Sequence, residues 1–280
     1  MTARNEDGVL VKSPYKKQQF TEQDLQDFMK CADPDTGPEY FMRNFFFIQH
    51  PVQGKMQYNP WEFQERLIKT YHNYRFSISM MPRQTGKSTS AAGYLLWFAM
   101  FKPDSTILVA AHKYAGAQEI MQRVRYSYEA CPDHIRAGAT SYNKGSIEFD
   151  NGSRIVAQTT TENTGRGMSI TLLYCDEFAF VRPTIAKEFW TSISPTLSTG
   201  GGAIITSTPN SDEDQFAFIW KGANKTEDEY GNTKELGVNG FKAYRAYWRE
   251  HPDRDEPWAE EQRNILGVER FRREMDCEFI

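Results

Sequence analysis

The sequence predicts an α/β fold with a central, mostly parallel sheet, and three observations lead to that prediction. An apolar, β-favouring run, Phe76–Met81, passes through a glycine-lysine loop directly into an Ala/Leu-rich helical pattern. A second hydrophobic run, Ser105–Ala110, is followed by another helical pattern, Tyr114–Ala130. A third, Leu172–Glu177, ends in two adjacent acids. Alternating strand and helix signals are typical of a parallel sheet with covering helices.

Length and charge bound the class of protein. The 280 residues suffice for one large α/β core with a small annex, or for two modest domains. No window approaches the roughly 18 apolar residues of a membrane-spanning helix, and Met1–Lys12 lacks the apolar run of a signal peptide, so we expect an intracellular protein. The net charge of -4 argues against coating nucleic acid by bulk positive charge, so any DNA contact is expected to be local, transient or shared with a partner.

The four cysteines indicate buried, reduced thiols. Cys31, Cys131, Cys175 and Cys277 lie far apart, with no C-x-x-C pair and no nearby pair of histidines. Neither a zinc site nor a disulfide framework is therefore predicted.

The N-terminal part begins with a polar stretch, Met1–Gln19, which we expect to be loosely ordered. Thr21 and Asp24 have the spacing of a capping box and predict the start of a short helix. The apolar segment Tyr40–Ile48 fits a strand or a helix equally well.

A helix is predicted just upstream of the glycine-lysine loop, because Trp61, Phe63, Leu67 and Ile68 recur at amphipathic spacing. Gln64 lies on this helix. Its amide offers a donor and an acceptor together, which the N6/N7 edge of adenine requires. The alternative is a solvated helix residue, and spacing alone does not decide between them.

The loop Pro82–Ser88 has the pattern of a phosphate-binding loop. Such a loop points successive backbone N–H groups inward, and the following helix adds its positive N-terminal end. Lys87 is expected to reach the β- and γ-phosphates of a nucleotide, and the Ser88 hydroxyl to bind Mg²⁺. Met81 stands where the motif G-x-x-x-x-G-K-S/T has its first glycine, so the loop must turn differently. The alternative is an ordinary glycine turn capped by Ser88.

The acids Asp176 and Glu177 are predicted to divide two tasks. Side chains alternate along a strand, so neighbours cannot face one ligand in the same way. We expect Asp176 to hold Mg²⁺, largely through water, and Glu177 to point at and polarise the attacking water. The alternative is a pair of solvated acids that end a strand.

Two further features precede these acids in the sequence. Ile147–Phe149 and Arg154–Ala157 flank a tight turn and predict a hairpin, an antiparallel annex to the main sheet. Glycines on both sides of Arg166 predict that this arginine lies on a mobile loop.

The last strand signal, Ala203–Ser207, runs into Thr208-Pro209-Asn210. Hydroxyls at a strand tip beside a nucleotide could sense the γ-phosphate, although threonine is also an ordinary strand residue. Downstream, helices are predicted over Phe216–Trp220, Trp258–Leu266 and Val268–Met275.

An ordered set of motifs resembles the ATPase half of tailed-phage large terminase subunits, closest to the T-even type. The stretches that carry the resemblance are WEFQERLI, MPRQTGKST, AAHKYAG, NKGSIEFDNGSRI, TGRGMSITLLYCDEFAF and AIITSTPN, and the similarity spans Phe41–Ile280. It implies a RecA-like (additional-strand, ASCE) P-loop NTPase with a small accessory subdomain. We expect residues 1–55 to form an N-terminal arm and part of that subdomain, residues 56–225 the ATPase core, and residues 226–280 the subdomain's C-terminal helices.

The resemblance implies an ATP- and Mg²⁺-dependent motor that translocates double-stranded DNA into a procapsid. Such subunits work as homo-oligomeric rings on the portal protein, with a small terminase subunit and without a membrane. The isolated chain is expected to be a monomer. The expected location is the host cytoplasm, transiently at the portal vertex, and not the mature virion.

The resemblance also assigns roles to residues. Gln64 resembles the family's adenine-reading glutamine, Arg83 its phosphate-loop arginine, and Arg166 an arginine finger that reaches a neighbouring subunit, with action within one subunit left open. Thr206-Ser207-Thr208 resembles the motif that couples hydrolysis to DNA movement. The nucleotide-binding residues are then Gln64, Arg83, Gln84, Thr85, Gly86, Lys87, Ser88 and Thr89; the catalytic residues are Glu177, Arg83 and Arg166; and the metal ligands are Ser88 and Asp176.

Full-length family members continue into a nuclease domain of RNase H type, about where this sequence reaches Glu278-Phe279-Ile280. We therefore expect an ATPase-only fragment or a naturally split subunit without DNA cleavage of its own. Two alternatives are a DEAD-box-like helicase or translocase core, and a non-catalytic docking module with a degenerate phosphate loop. The helicase needs a second RecA-like domain, for which the residues after Asn210 are too few.

Overall fold

The strand and helix signals of the sequence correspond to regular elements throughout residues 9–280, which are the residues that this computed structural model describes. The part of the predicted loose segment before residue 9 lies outside them. The α-helices are α1 (Glu22–Ala32), α2 (Gly37–Asn44), α3 (Glu62–Asn73), α4 (Lys87–Phe101), α5 (Tyr114–Ala130), α6 (Pro183–Ile193), α7 (Gln215–Ala223), α8 (Glu256–Leu266) and α9 (Val268–Glu274). The strands are β1 (Phe47–His50), β2 (Gly54–Gln57), β3 (Phe76–Met80), β4 (Thr106–Ala111), β5 (Ala139–Tyr142), β6 (Ser146–Phe149), β7 (Arg154–Thr159), β8 (Leu172–Asp176), β9 (Gly202–Ser207) and β10 (Lys242–Arg245).

The chain divides into two compact units. The first comprises the described residues up to Pro60 together with Ser88–Val109 and Tyr114–Gln158. The second comprises Trp61–Lys87, Ala110–Lys113 and Thr159–Ile280. The subdomain boundaries expected from the sequence stay a prediction.

Helix α4 forms the centre of the first unit. All its residues from Ser90 to Met100 are buried, so the helix is covered on every side. The Trp97 indole donates to the carbonyl of Cys31 at 2.7 Å, which fixes α1 against α4. Among residues 9–280, no helix has both the length and the apolar character needed to cross a bilayer.

Two local predictions for the first unit are confirmed, and one open assignment is resolved. Thr21 and Asp24 form the predicted capping box of α1. Strands β6 and β7 pair as the predicted antiparallel hairpin, with Ile147 opposite Ile155. The segment Tyr40–Ile48, which fitted either element, contains the end of α2 and the start of β1.

The second unit contains four parallel strands in the order β10-β3-β9-β8. Almost every residue of β3, β8 and β9 is buried, as is typical of parallel strands that are covered on both faces. Strand β10 extends this sheet beside β3, although its sequence alternates only weakly. The mostly parallel sheet predicted from the sequence is therefore present.

The C-terminal helices of the second unit pack around an aromatic core. Trp248, Ala259, Phe271 and Met275 are buried there, with Trp258 and Leu266 packed against them. We call this group the C-terminal cluster. It includes residues from α8 and α9, which confirms the two helices predicted near the C terminus.

All four cysteines are buried and free. Burial raises the pKa of Cys31 and of Cys277 to about 12. Their thiols therefore stay protonated near neutral pH.

Candidate nucleotide-binding site

The ends of three parallel strands meet at one edge of the second unit. Because Met80 pairs with Ser207, and Cys175 with Ile205, the carboxyl ends of β3, β8 and β9 lie side by side. The phosphate loop leaves β3 at this edge, and Asp176 is the last residue of β8. Ligands of open α/β sheets bind outside the carboxyl ends of the strands, so this edge is where a site is expected.

The phosphate loop turns at Gln84 and Gly86, whose φ angles are 56° and 75°. Met81, at the missing glycine position, is fully buried and its N–H donates to the Ser207 carbonyl at 3.4 Å. The chain therefore continues along the sheet where the usual motif already turns. Two left-handed residues further on replace that turn, which explains how methionine is accommodated.

Gln64 connects α3 to the phosphate loop. Its side chain is 3% exposed; Nε2 donates to the Thr85 carbonyl at 3.0 Å, and Oε1 accepts from the Trp61 N–H at 3.0 Å. The Thr85 hydroxyl in turn donates to the Pro82 carbonyl at 2.8 Å. Gln64 thus lies on a helix beside the loop, as predicted, and its amide keeps capacity for one more donor and one more acceptor contact.

Lys87 and Glu177 form an ion pair at the start of α4. The Lys87 ammonium donates to Glu177 Oε1, and both side chains are largely shielded, with 12% and 24% of their surface exposed. Glu177 lies just beyond β8, with φ 50° and ψ 43°. The expectation that Glu177 is a strand residue is therefore wrong. Its left-handed backbone, rather than the alternation of a strand, makes its side chain point in a different direction from that of Asp176.

Asp176 is 7% exposed and accepts from the Tyr174 hydroxyl at 3.4 Å. Burial, together with the negative charge of Asp176, raises the pKa of Tyr174 well above its usual value, so the phenol stays a neutral donor. A carboxylate at a strand end is an oxygen ligand of the kind that Mg²⁺ prefers, so the donor chemistry of Asp176 fits that ion. A metal contact of Ser88 stays a prediction.

Ser88 and Thr89 follow Lys87 in α4 and are part of the first unit. Both are partly buried. The Thr89 hydroxyl accepts from Arg123 Nη1 of α5 at 2.9 Å. Thr89 therefore already has a structural partner, whereas its predicted nucleotide contact stays a prediction.

Arg83 faces α9. Its N–H donates to the Glu274 carbonyl at 3.1 Å, and its guanidinium, 53% exposed, lies 3.7 Å from the Glu274 carboxylate. A catalytic role for Arg83 stays a prediction, since these contacts involve the C-terminal helix.

Arg166 is exposed between Gly165 and Gly167, both of which have positive φ angles. It lines a surface recess with residues of α6, among them Lys187 and Glu188. No phosphate-loop residue lines this recess.

The predicted coupling residues Thr206, Ser207 and Thr208 are all buried. Ser207 makes two connections: its carbonyl accepts from Met81 at the start of the phosphate loop, and its hydroxyl accepts from the Ala179 N–H at 3.2 Å. Ala179 lies two residues after Glu177. Ser207 therefore joins the phosphate loop to the segment that carries Glu177.

Sequence reasoning missed two residues near these groups. His112 follows β4; burial lowers its pKa, while the Glu177 carboxylate acts in the opposite direction. Arg254 donates to two phosphate-loop carbonyls. His112 lies in the quoted motif AAHKYAG and could have been found there, whereas no local pattern marks Arg254.

Comparison with known proteins shows to which family the chain belongs. A family model described as "Terminase large subunit, T4likevirus-type, N-terminal" matches residues 78–280, well over half of the sequence. Among solved structures, the large terminase ATPase domain of Thermus phage P74-26 is 22% identical, with 80% of this chain and 95% of that chain covered and a TM-score of 0.62.

Two longer proteins match as well. The large terminase of bacteriophage HK97 is 18% identical, with 85% of this chain and 54% of that chain covered and a TM-score of 0.66. That of the thermophilic bacteriophage D6E, solved in complex with ADP, is 9% identical, with coverages of 79% and 54% and a TM-score of 0.61. This chain thus spans about half the length of both. These likenesses confirm the RecA-like fold.

Proposed function

The chain belongs to the T4-like family of terminase large subunits, and from this we propose that it hydrolyses ATP to drive double-stranded DNA into a viral procapsid. Family membership supports an ATPase of a packaging motor and does not favour the DEAD-box-like helicase or the docking module. The D6E relative is described in complex with ADP and with ATP-γ-S, which supports an adenine nucleotide as the ligand.

One observation carries the proposal: the lysine of the phosphate loop and the glutamate after β8 lie within hydrogen-bonding distance of each other. They are 90 residues apart in the sequence, so only the fold brings them together. An ammonium that binds phosphate and a carboxylate that orients water are two of the groups that phosphoryl transfer to water requires. Asp176 lies next to Glu177 at the same edge.

In the proposed mechanism, the loop N–H groups and Lys87 bind the β- and γ-phosphates. Glu177 accepts a hydrogen bond from the attacking water and orients it toward the γ-phosphorus. Ser88 and Asp176 would hold Mg²⁺, which neutralises phosphate charge when bound. Because phosphate oxygens and Glu177 both accept from the Lys87 ammonium, nucleotide binding weakens the ion pair and frees the carboxylate for water.

Gln64 is proposed to read the adenine N6/N7 edge with its remaining donor and acceptor capacity. Since the same amide already bonds to Thr85, base recognition would act directly on the loop. Ser207 is proposed to couple the γ-phosphate to movement, because it bonds both the start of the phosphate loop and the segment that carries Glu177.

We further propose that the motor is a homo-oligomeric ring on the portal protein, working with a small terminase subunit in the host cytoplasm. Arg166 is then available for a neighbouring subunit, because it is exposed on its own. The proposed assembly forms at the portal vertex and leaves before the virion matures.

The test is ATP turnover by the purified chain with Mg²⁺, measured alone, with double-stranded DNA, and with DNA and procapsid shells. We expect slow basal hydrolysis and stimulation by DNA and shells together. Lys87→Ala should abolish binding of labelled ATP, whereas Lys225→Ala, in a surface loop, should leave it unchanged. Absence of ATP binding in the wild-type chain would sink the proposal.

A further inference from the structure

Two carbonyls of the phosphate loop, those of Arg83 and Gln84, accept hydrogen bonds from the C-terminal part of the second unit. When loop N–H groups point at an anion, the carbonyls turn away and need other donors. Arg254 Nη2 donates to the Arg83 carbonyl at 3.0 Å and to the Gln84 carbonyl at 2.8 Å. Gln84 is one of the two left-handed residues of the loop, so Arg254 bonds the backbone at the turn itself.

The surroundings of Arg254 explain why these two bonds matter. The residue is 9% exposed, and its guanidinium lies 4.6 Å from the centre of the Trp258 ring in the C-terminal cluster. Within residues 9–280, its Nη1 is buried without a hydrogen-bond partner. Burial lowers its pKa, which reflects the cost of keeping the charge out of water. The loop carbonyls and the Trp258 ring are thus the groups that compensate this charge.

A second contact links the same two parts. Glu274 of α9 accepts the Arg83 N–H with its backbone carbonyl, while its carboxylate accepts from Arg270 at 2.9 Å. Glu274 and Arg254 belong to different segments of the C-terminal region, and both bond the backbone within Arg83–Gln84. Two separate C-terminal segments therefore form hydrogen bonds with the loop backbone.

We propose that Arg254 is a positioning residue that holds the phosphate loop in its nucleotide-binding conformation and links nucleotide binding to the C-terminal cluster. This inference rests on the proposed ATP binding. Lysine cannot replace arginine here, because an ammonium lacks the planar guanidinium that lies over Trp258 while donating to two carbonyls. By linkage, a nucleotide that favours this loop conformation stabilises the cluster in turn.

The test compares Arg254→Lys and Arg254→Ala with Arg263→Ala. Arg263 is a matched control, because its guanidinium lies 4.6 Å from the Phe271 ring of the same cluster but bonds Glu256 rather than the loop. The two loop bonds predict that both Arg254 variants weaken binding of a fluorescent ATP analogue by about 10-fold or more. Arg263→Ala should stay within about twofold of wild type, since no loop bond is lost.

A second measurement separates positioning from general stability. ATP should increase the protection of α8 and α9 amides against hydrogen exchange in wild type and in Arg263→Ala, but not in Arg254→Lys. Should Arg254→Ala fail to fold, Arg254→Lys decides the question. ATP affinity and ATP-dependent protection unchanged in Arg254→Lys would overturn the inference while leaving the proposed function intact. A wild-type chain that binds no ATP would overturn both.

Discussion

Glu177 combines a left-handed backbone with an ion pair to Lys87. A non-glycine residue in this conformation costs about 1–2 kcal/mol, so the surrounding structure must hold it. Ser207 contributes by accepting the Ala179 N–H two residues later. The strained backbone turns the carboxylate away from the strand and toward the phosphate loop.

Glu177→Gln is predicted to keep ATP binding and lose hydrolysis. The amide oxygen still accepts from Lys87, but it cannot serve as a base for water, so turnover should fall about 10²- to 10⁴-fold. Single-turnover hydrolysis and nucleotide binding, measured in parallel, check this. Glu260→Gln, on the exposed face of α8, is the control. Near wild-type turnover by Glu177→Gln would remove this residue from its role.

The half-buried His251 predicts a pH dependence of stability. Burial and the Arg254 charge lower its pKa below the ordinary 6.5, with Asp253 opposing them. As the pH falls below about 6.5, His251 is protonated more readily in the unfolded chain than in the folded chain. The free energy of unfolding therefore decreases in this range. His251→Gln should lose less thermal stability than wild type between about pH 7.5 and 5.5. An equal loss in both proteins would contradict this prediction.

Local spacing made the positions of Lys87, Asp176 and Glu177 near the strand ends predictable, because each lies in a short motif with a defined strand or helix context, and their roles stay predictions. Arg254 was not predictable. Its partner carbonyl lies 170 residues earlier in the chain, and only the packing of the C-terminal cluster brings it to the loop.

At the scale of structural elements, the phosphate loop requires glycine at position 86. Its φ angle is 75°, and an added Cβ would lie 2.5 Å from Gln64 Nε2. Both the backbone angle and the close approach of Gln64 therefore oppose any side chain at this position.

Gly86→Ala should destabilise the chain by about 1–2 kcal/mol from the backbone alone and also displace Gln64, which weakens ATP binding. Gly240→Ala is the matched control, since Gly240 has a φ angle of 80° but no atom within 4 Å of an added Cβ. Urea unfolding and ATP titration of both variants measure the two effects. Equal ATP affinity in the two would show that the Gln64 contact is unimportant.

Strand β10 illustrates what the sequence could not reveal about elements. Only Tyr244 of its four residues is buried, so the strand lacks the apolar run that identified β3, β8 and β9. Its position is determined by pairing with β3, a contact between distant parts of the chain. The buried strands were predictable because their own composition requires a covered sheet.

For the whole molecule, the order of strand and helix signals was enough to predict a mostly parallel sheet with covering helices, and the family resemblance added the expectation of a RecA-like fold. Subunit organisation depends on surface residues, whose sequence pattern is weaker than the apolar pattern of the buried strands and helices. Arg166 is exposed in a recess that contains no phosphate-loop residue, which agrees with action on a neighbouring subunit.

Arg166→Ala should therefore lower turnover only where subunits assemble. An arginine supplied by a neighbour contributes on the order of 10³ to 10⁵ in related phosphoryl-transfer enzymes. Turnover per subunit, followed across a dilution series, should converge for wild type and variant at low concentration. Lys187→Ala, in the same recess, controls for a general effect on this surface. An equal loss at every concentration would mean that Arg166 acts within its own subunit.

The buried thiols have a practical consequence for watching such a motor work. Because Cys31, Cys131, Cys175 and Cys277 are all buried, a maleimide dye should not react with them while the chain stays folded. A cysteine introduced at the exposed Glu229 would then be the preferred labelling point, with every native cysteine retained. Single fluorescent subunits could thus be counted on a procapsid without rebuilding the protein.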